Sequence, residues 1–420
     1  MNLRVSEMAE TLIGSEIIKL GGEINQRIKE GAKINNFTIG DFDPAIFPIP
    51  SELTDEIINA YKAGHTNYPP ADGMLELRKA VSEFLSEREN LNYNPNQILI
   101  AGGARPIIYS LYQTIVDPGD KVIFPVPSWN NNHYCHLSRA QQILVEATPE
   151  NNFMPVRSDL EKHAKDAVMI AVCSPLNPTG TVFSRKQLED ICDLVLEENA
   201  RRSPDQKPLY LLYDQIYWLL TFGGAEHYNP VQLRPEMANY TLFVDGISKA
   251  FAATGVRVGW SFGPERIMAK MRSILGHIGA WAPKAEQVAT AAFLQNRSAV
   301  DTYLNHIKKE VYDRQTLFFK GFKDLKAKGF PVDIISPEGA IYLSVQFSML
   351  GAQKADGTKL NTTFDIASYL IAEASFAVVP FTAFGNAPGT DWFRISVGTC
   401  RSQDIPSIMN KLKEALLKLK

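Results

Sequence analysis

The stretch DGISKAFAATGVRVGW, residues 245–260, sets Lys249 among Ile247, Ser248, Ala250, Phe251, Ala252 and Ala253, with Arg257 eight positions on. An ammonium ordinarily keeps its water on a solvated face, so a lysine in small, apolar company needs a reason. Four other stretches carry candidate chemistry, each with a plainer alternative. YLLYDQIYWLL places Asp214 at the end of an apolar run and Tyr217 three residues later. Asp214 is either a helix N-cap or a buried carboxylate for a cationic ring nitrogen, with Tyr217 donating to a neighbouring oxygen. DWFRISVG sets Arg394 among apolar residues. It lies on an exposed strand face, or its guanidinium is held for bidentate capture of a carboxylate, which lysine could not imitate. AGGARPIIYSLY joins a strand to a helix through small residues, and amides at such a helix start suit a phosphate. NPTG, Asn177–Gly180, follows an apolar run and is by itself a turn or a site loop.

Other chemistries find little support. Walker A and GxGxxG patterns are absent. His133 and His136 stand at i, i+3 spacing without a second ligand pair, so no metal site is expected. The net charge of −3 offers no footprint for nucleic acid, and HIKKEVYDR mixes signs as a solvated helix face does. The four cysteines, Cys135, Cys173, Cys192 and Cys400, fit no CxxC pattern and read as reduced thiols. The N-terminal stretch lacks the apolar core of a signal peptide, and no window approaches ~18 uninterrupted apolar residues. A cytoplasmic protein without membrane segments is expected.

The elements that must position these residues follow from pattern. Between residues 98 and 260, short apolar runs end in Gly, Pro or Asp: ILIAGG, KVIFPVP, AVMIAVCSP, YLLYD and TLFVDG. Helix-like stretches such as RPIIYSLYQTIV and SRKQLEDICDLVLEENA lie between several of them. This alternation predicts βαβ units and a largely parallel sheet, whose ligands bind beyond the carboxyl ends of the strands. Most of the conspicuous polar residues fall at those ends. From Ala299 to Lys328 apolar residues recur at helical spacing, which predicts one long helix linking two domains. Beyond it, PVDIISPEGAIYLSVQF and FAVVPFTAF…DWFRISVG read as strands of a smaller α+β unit, with GAQKADGTK a surface loop.

Taken in order, NYPPADGMLELRKAV, GGARPIIY, PVPSW, SPLNPTG, YDQIY, SKAFAATGVRVGW and FRIS resemble the class I/II aminotransferases, pyridoxal-phosphate enzymes of fold type I. The resemblance runs from Phe37 to Gly398. It implies an α/β fold with a large domain, residues 46–290, built on a mostly parallel seven-stranded sheet sandwiched by helices. Residues 1–45 and 291–420 would form the smaller α+β domain. It further implies that Lys249 forms a Schiff base with the cofactor aldehyde, which needs a neutral amine and hence a desolvated pocket. The freed amine would then move the substrate's Cα proton. Asp214 would keep the pyridine nitrogen protonated, and Asn177 and Tyr217 would bond the ring's phenolic oxygen. Trp129 would stack on the ring. Arg257, Ser248 and the amides of Gly103, Ala104 and Arg105 would hold the phosphate, joined by Tyr68 from the other subunit of a homodimer. Arg394, with the backbone near Gly40, would clamp the substrate's α-carboxylate, beside Asn177 and Trp129.

Two departures qualify the resemblance. Gly246 stands where many relatives have a phosphate-touching serine. In aspartate-specific relatives an arginine in the stretch matching SILGHIGAWAPKAEQ, lent by the partner subunit, reads the distal carboxylate, yet Leu275 to Ala282 contains none, only His277 and Trp281. A buried carboxylate without a cation is costly, which favours a neutral, aromatic or aliphatic amino donor. Glutamate or 2-oxoglutarate would need another cation, with Arg105 and His277 as candidates. The expected activity is ping-pong transamination between an L-amino acid and a 2-oxo acid. The alternatives are a lyase, such as a C–S β-lyase, or a decarboxylase on the same scaffold, and more remotely a non-catalytic binding protein.

Overall fold

The computed structural model describes residues 3–14 and 16–420, so residues 1, 2 and 15 of the expected N-terminal segment lie outside the described ones. A two-residue strand, β1 (Asn35–Asn36), precedes the main sheet. That sheet comprises β2 (Ile98–Ala101), β3 (Lys121–Val126), β4 (Gln141–Glu146), β5 (Ala167–Cys173), β6 (Tyr210–Asp214), β7 (Thr241–Gly246) and β8 (Gly259–Phe262). The five apolar runs become β2, β3, β5, β6 and β7, because such runs can bury both faces between helical layers. The spatial order is β2-β8-β7-β6-β5-β3-β4. Four neighbouring pairs are parallel, and the two that involve β8 are antiparallel. This is the α/β fold type I architecture. β4 and β8 escaped the reading of apolar runs: β4 is an edge strand with only Val145 buried, and β8 spans four residues, one of them glycine.

Local chemistry sets the helix starts. The helix Arg185–Arg201 begins where Ser184 accepts the Gln187 amide and Gln187 accepts the Ser184 amide, a reciprocal cap. The helix Ala104–Ile115 carries Pro106 in its first turn, where no intrahelical donor is lost. Its buried Ile107, Leu111 and Ile115 recur every four residues and pack on the sheet. Each such side chain contributes about 1.5–3 kcal/mol of burial.

The long helix spans Arg297–Ala327, with the Asn296 side chain accepting the Ala299 amide. Its first turns, at Ala299, Val300 and Leu304, join the core containing Leu188, Phe243 and Phe293. Its later turns, at Ile307, Val311, Phe318, Phe322 and Leu325, join a second core with Val345, Phe376 and Phe393. Phe37, Phe42 and Phe47 belong to that second core, so an N-terminal stretch packs with C-terminal elements.

The second core lies around β9 (Val332–Ile334), β10 (Tyr342–Phe347), β11 (Phe376–Ala377), β12 (Val379–Pro380) and β13 (Trp392–Ser396). A four-stranded antiparallel sheet runs β12-β13-β10-β9, while β11 pairs in parallel with β1. FAVVPFTAF is therefore only partly strand: after Pro380, which offers no ladder donor, the chain turns into a short 3-10 helix, Phe381–Phe384. The NPTG loop meets this unit at close range. Gly180 has φ +74, and a Cβ there would lie 2.1 Å from the Tyr342 carbonyl oxygen, so no other residue fits. That contact carries the end of β5 to the start of β10.

Candidate active site

A cavity of about 830 Å³ opens at the carboxyl ends of β5, β6 and β7 and reaches β10 and β13. Lys249, Asp214, Tyr217, Asn177, Trp129, Ser248, Arg257, Arg394, Gly40, Ala104 and Arg105 all line it. Residues drawn from positions 40 to 394 thus meet in one place. The lining includes four cations, Arg105, Lys249, Arg257 and Arg394, against two acids, Asp41 and Asp214. The excess favours anionic ligands.

Lys249 follows β7 by three residues and is half-buried on the cavity wall. Its Nζ donates to the Gly40 carbonyl at 2.6 Å and lies 5.8 Å from the Tyr217 ring centroid. Burial lowers its pKa to about 8, with Asp41 pulling upward and Arg394, Arg105 and Arg257 pushing down. A lysine so placed holds a useful neutral fraction near physiological pH.

Asp214 ends β6, and its Oδ1 accepts the Ile216 amide at 3.0 Å. The plain capping role is thus present in part, as a turn spanning two residues. Among the described residues Oδ2 has no protein partner. Burial raises the Asp214 pKa to about 6, against the opposing effects of the Ile216 amide and Lys249. A carboxylate held this way gains by a cationic partner.

Arg394 is 1 % exposed, and every residue of β13 is buried, so the exposed-face alternative does not describe it. Its Nη1 donates to Asn177 Oδ1 at 3.0 Å and its Nη2 to the Thr38 carbonyl at 2.5 Å. The guanidinium sits 4.7 Å from the Tyr342 ring centroid and 5.0 Å from that of Phe384. Its Nε is buried without a partner. Among the described residues no carboxylate pairs with it, and burial lowers its pKa from the usual value. A buried guanidinium in this condition would gain from an incoming carboxylate.

Arg257 faces the start of the helix Ala104–Ile115. Its Nη1 donates to the Thr254 carbonyl at 2.9 Å and its Nη2 to the Gly102 carbonyl at 2.7 Å. Its backbone sits at φ +62, a strained setting for a residue with a side chain. Gly103, at φ +93, makes room: a Cβ there would lie 2.4 Å from Arg257 Nη2. Gly103 itself does not line the cavity but leaves the helix start open beside the guanidinium. Helix amides, a guanidinium and the Ser248 hydroxyl make a fitting cradle for a phosphate.

Tyr217 Oη bonds Tyr342 Oη at 2.7 Å, and burial holds the Tyr217 hydroxyl well above its usual pKa. Trp129 faces Arg105, whose guanidinium lies 5.5 Å from its ring centroid. Besides Gly103, Tyr68 and His277 stay outside. Tyr68 is 81 % exposed, against Trp281 with ring centroids 5.2 Å apart. His277, in the last turn of the helix Glu265–Ile278, is exposed and does not line the cavity of its own chain.

The motifs did not single out Tyr342, Tyr134, Cys173, Asp41 or Asn25, all of which line the cavity. For Tyr342 no local signal exists, because its place follows from the antiparallel register that sets it opposite Ser396. Asp41 had a signal in its position next to Gly40.

Fold and site together set a lysine, a guanidinium beside a helix start and a buried arginine around one cavity of an α/β protein. The sequence model of the family described as "Aminotransferase class I and II" matches residues 33–412, and this chain belongs to that family. Its members depend on pyridoxal phosphate, and the chain is an aminotransferase. It is 29% identical over 402 residues to an aspartate aminotransferase of Bacillus sp. (strain YM-2), covering 94% of this chain and 95% of that one. The aspartate aminotransferase structure from Rhizobium meliloti superposes with a TM-score of 0.89 at 26% identity, covering 100% of each chain. An aromatic aminotransferase structure from Pyrococcus horikoshii OT3 gives a TM-score of 0.81 at 26% identity, covering 94% of this chain and 98% of that one.

Proposed function

We propose that the chain binds pyridoxal phosphate in this cavity and moves an amino group between an L-amino acid and a 2-oxo acid in two half-reactions. The observation that carries the reading is the meeting of Lys249, Asp214, Arg257 and Arg394 around a single space. The cofactor supplies, when bound, an aldehyde that takes up amines and a ring that accepts the electron pair left at the substrate's Cα. The free oxygen of Asp214 and the cradle beside Gly103 and Arg257 fit the two ends of such a molecule.

The chain's own residues then have defined tasks. Asp214 holds a proton on the ring nitrogen, and Tyr217 and Asn177 meet the phenolic oxygen. Trp129 covers the ring face. Arg257, Ser248 and the amides at Ala104 and Arg105 hold the phosphate, aided by Tyr68 of a second subunit. Arg394 grips the substrate's α-carboxylate with the Gly40 backbone nearby. Lys249 would serve as the base that moves the substrate's Cα proton. Residues 46–290 would carry the cofactor, and residues 1–45 with 291–420 would carry Arg394 and close on the substrate.

For the substrates, we infer a neutral, aromatic or aliphatic donor in one half-reaction and a dicarboxylate pair in the other. The missing arginine between Leu275 and Ala282 supports the first. Arg105 supports the second, since it lines the cavity and among the described residues meets Trp129 instead of a carboxylate. The relatives named aspartate aminotransferases agree with a dicarboxylate.

A donor–acceptor screen tests the reading. Purified protein should convert 2-oxo acids to amino acids, and Lys249→Ala should abolish both turnover and the borohydride-reducible bond to cofactor. Pyruvate and ammonia from a cysteine conjugate, without amino transfer, would replace transamination by β-elimination. Normal activity in Lys249→Ala would overturn the site.

A further inference from the structure

We propose that Asp41 is a positioning residue for Lys249: a fixed anion, anchored by Thr254 and its own loop, that sets how readily the lysine releases its proton. The proposal rests on Lys249 being the reactive amine. It starts from the charge pattern of the cavity, whose acids among the described residues are Asp41 and Asp214. Asp214 is assigned to the ring nitrogen. Asp41 is left as an acid without a task in a cavity that four cations also line.

Its placement is tightly specified. Asp41 Oδ1 accepts the Phe42 amide at 2.8 Å and the Thr254 hydroxyl at 2.8 Å. Thr254 lies on the turn between Lys249 and Arg257, and its carbonyl accepts Arg257 Nη1 at 2.9 Å. The residue before Asp41, Gly40, accepts Lys249 Nζ at 2.6 Å. On the other side, the Asp43 amide donates to the Gly398 carbonyl at 3.0 Å. A Cβ at Gly398 would lie 2.1 Å from the Asp41 carbonyl oxygen. The loop is thus clamped between the strand that carries Arg394 and the turn that carries Lys249.

The groups facing Lys249 come from several elements. Arg394 stands on β13, Arg105 on the helix Ala104–Ile115, and Arg257 at the end of the lysine's own loop. Asp214 and the Tyr217 ring come from the end of β6 and the turn after it. Three guanidiniums and burial disfavour the ammonium, and Asp41 opposes them. Neutralising Asp41 removes that upward pull, so the amine frees its proton at lower pH.

The test uses the cofactor-free protein. Pulse labelling with acetic anhydride across a pH series, read at the Lys249 peptide by mass spectrometry, gives the midpoint of its titration. D41N keeps an oxygen for both donors and removes only the charge, so the midpoint should fall by about one pH unit. D41S, a smaller neutral side chain, should reproduce the fall. T254V, which loosens the anchor but keeps the charge, should shift it less than D41N. A wild-type midpoint in a folded D41N or D41S protein, or an equal fall in T254V, overturns the proposal. The functional reading fails separately: borohydride reduction of the loaded wild-type protein would then tag a lysine other than Lys249.

Discussion

Lys249 and Asp214 share one physical cause for opposite shifts. Burial disfavours charge, so it lowers the lysine to about 8 and raises the aspartate to about 6. Two groups brought towards neutrality from opposite sides can hold and pass protons at working pH. Arg394 is a different case, since a guanidinium stays charged through burial and needs an anion to complete it. Its two bonded nitrogens fix the fork by Asn177 and Thr38, leaving the orphaned Nε among aromatic rings. Arg394→Lys keeps the charge and loses the fork. Steady-state kinetics should show KM for the amino acid raised about 10–100-fold, the worth of one or two charge-assisted bonds. Cofactor absorbance should change little, because the charge is kept and Arg394 would reach the cofactor only through Asn177.

At the scale of elements, the site hangs on where strands end. β5, β6 and β7 lie side by side in parallel register, with Cys173 paired to Asp214 and Asp214 to Val244. Asp214 and the loops carrying Asn177 and Lys249 therefore emerge on one edge. The NPTG loop adds a link to β10 that only glycine at position 180 permits. Gly180→Ala should destabilise the protein by about 1–3 kcal/mol through the left-handed backbone and the clash with Tyr342. Urea unfolding of the cofactor-free protein, followed by far-UV circular dichroism, measures this. The five apolar runs were legible as strands because burial on both faces demands unbroken apolar residues. β4 and β8 were not, since an edge strand and a four-residue strand lack that signature, and FAVVPFTAF, read as strand, breaks into β11, β12 and a short 3-10 helix.

For the whole molecule, the long helix Arg297–Ala327 ties two cores together. No described helix is long and apolar enough to cross a membrane. Tyr68 stands outside its own cavity, exposed beside Trp281, as a residue serving a second subunit would. If the sites of a dimer are shared, mixing two disabled variants restores one intact site. Lys249→Ala lends its Tyr68, and Tyr68→Ala keeps its Lys249. Refolding the two together should yield activity above that of either alone. Activity no higher than that of the unmixed variants would mean each chain completes its own site.

The sequence by itself determined the individual chemistries: a lysine among small residues, an aspartate closing an apolar run, an arginine within a strand, glycines before a helix. These are local, because side-chain type and short-range pattern suffice to state them. Tertiary structure decided what no local pattern holds. It brought residues between positions 40 and 394 to one cavity, set Tyr342 against Tyr217, and anchored Asp41 on Thr254, between Lys249 and Arg257. It also left Arg105 over Trp129, without a carboxylate among the described residues. The physical reason is distance along the chain. Register between strands and packing between cores fix these meetings, and both depend on contacts separated by hundreds of residues.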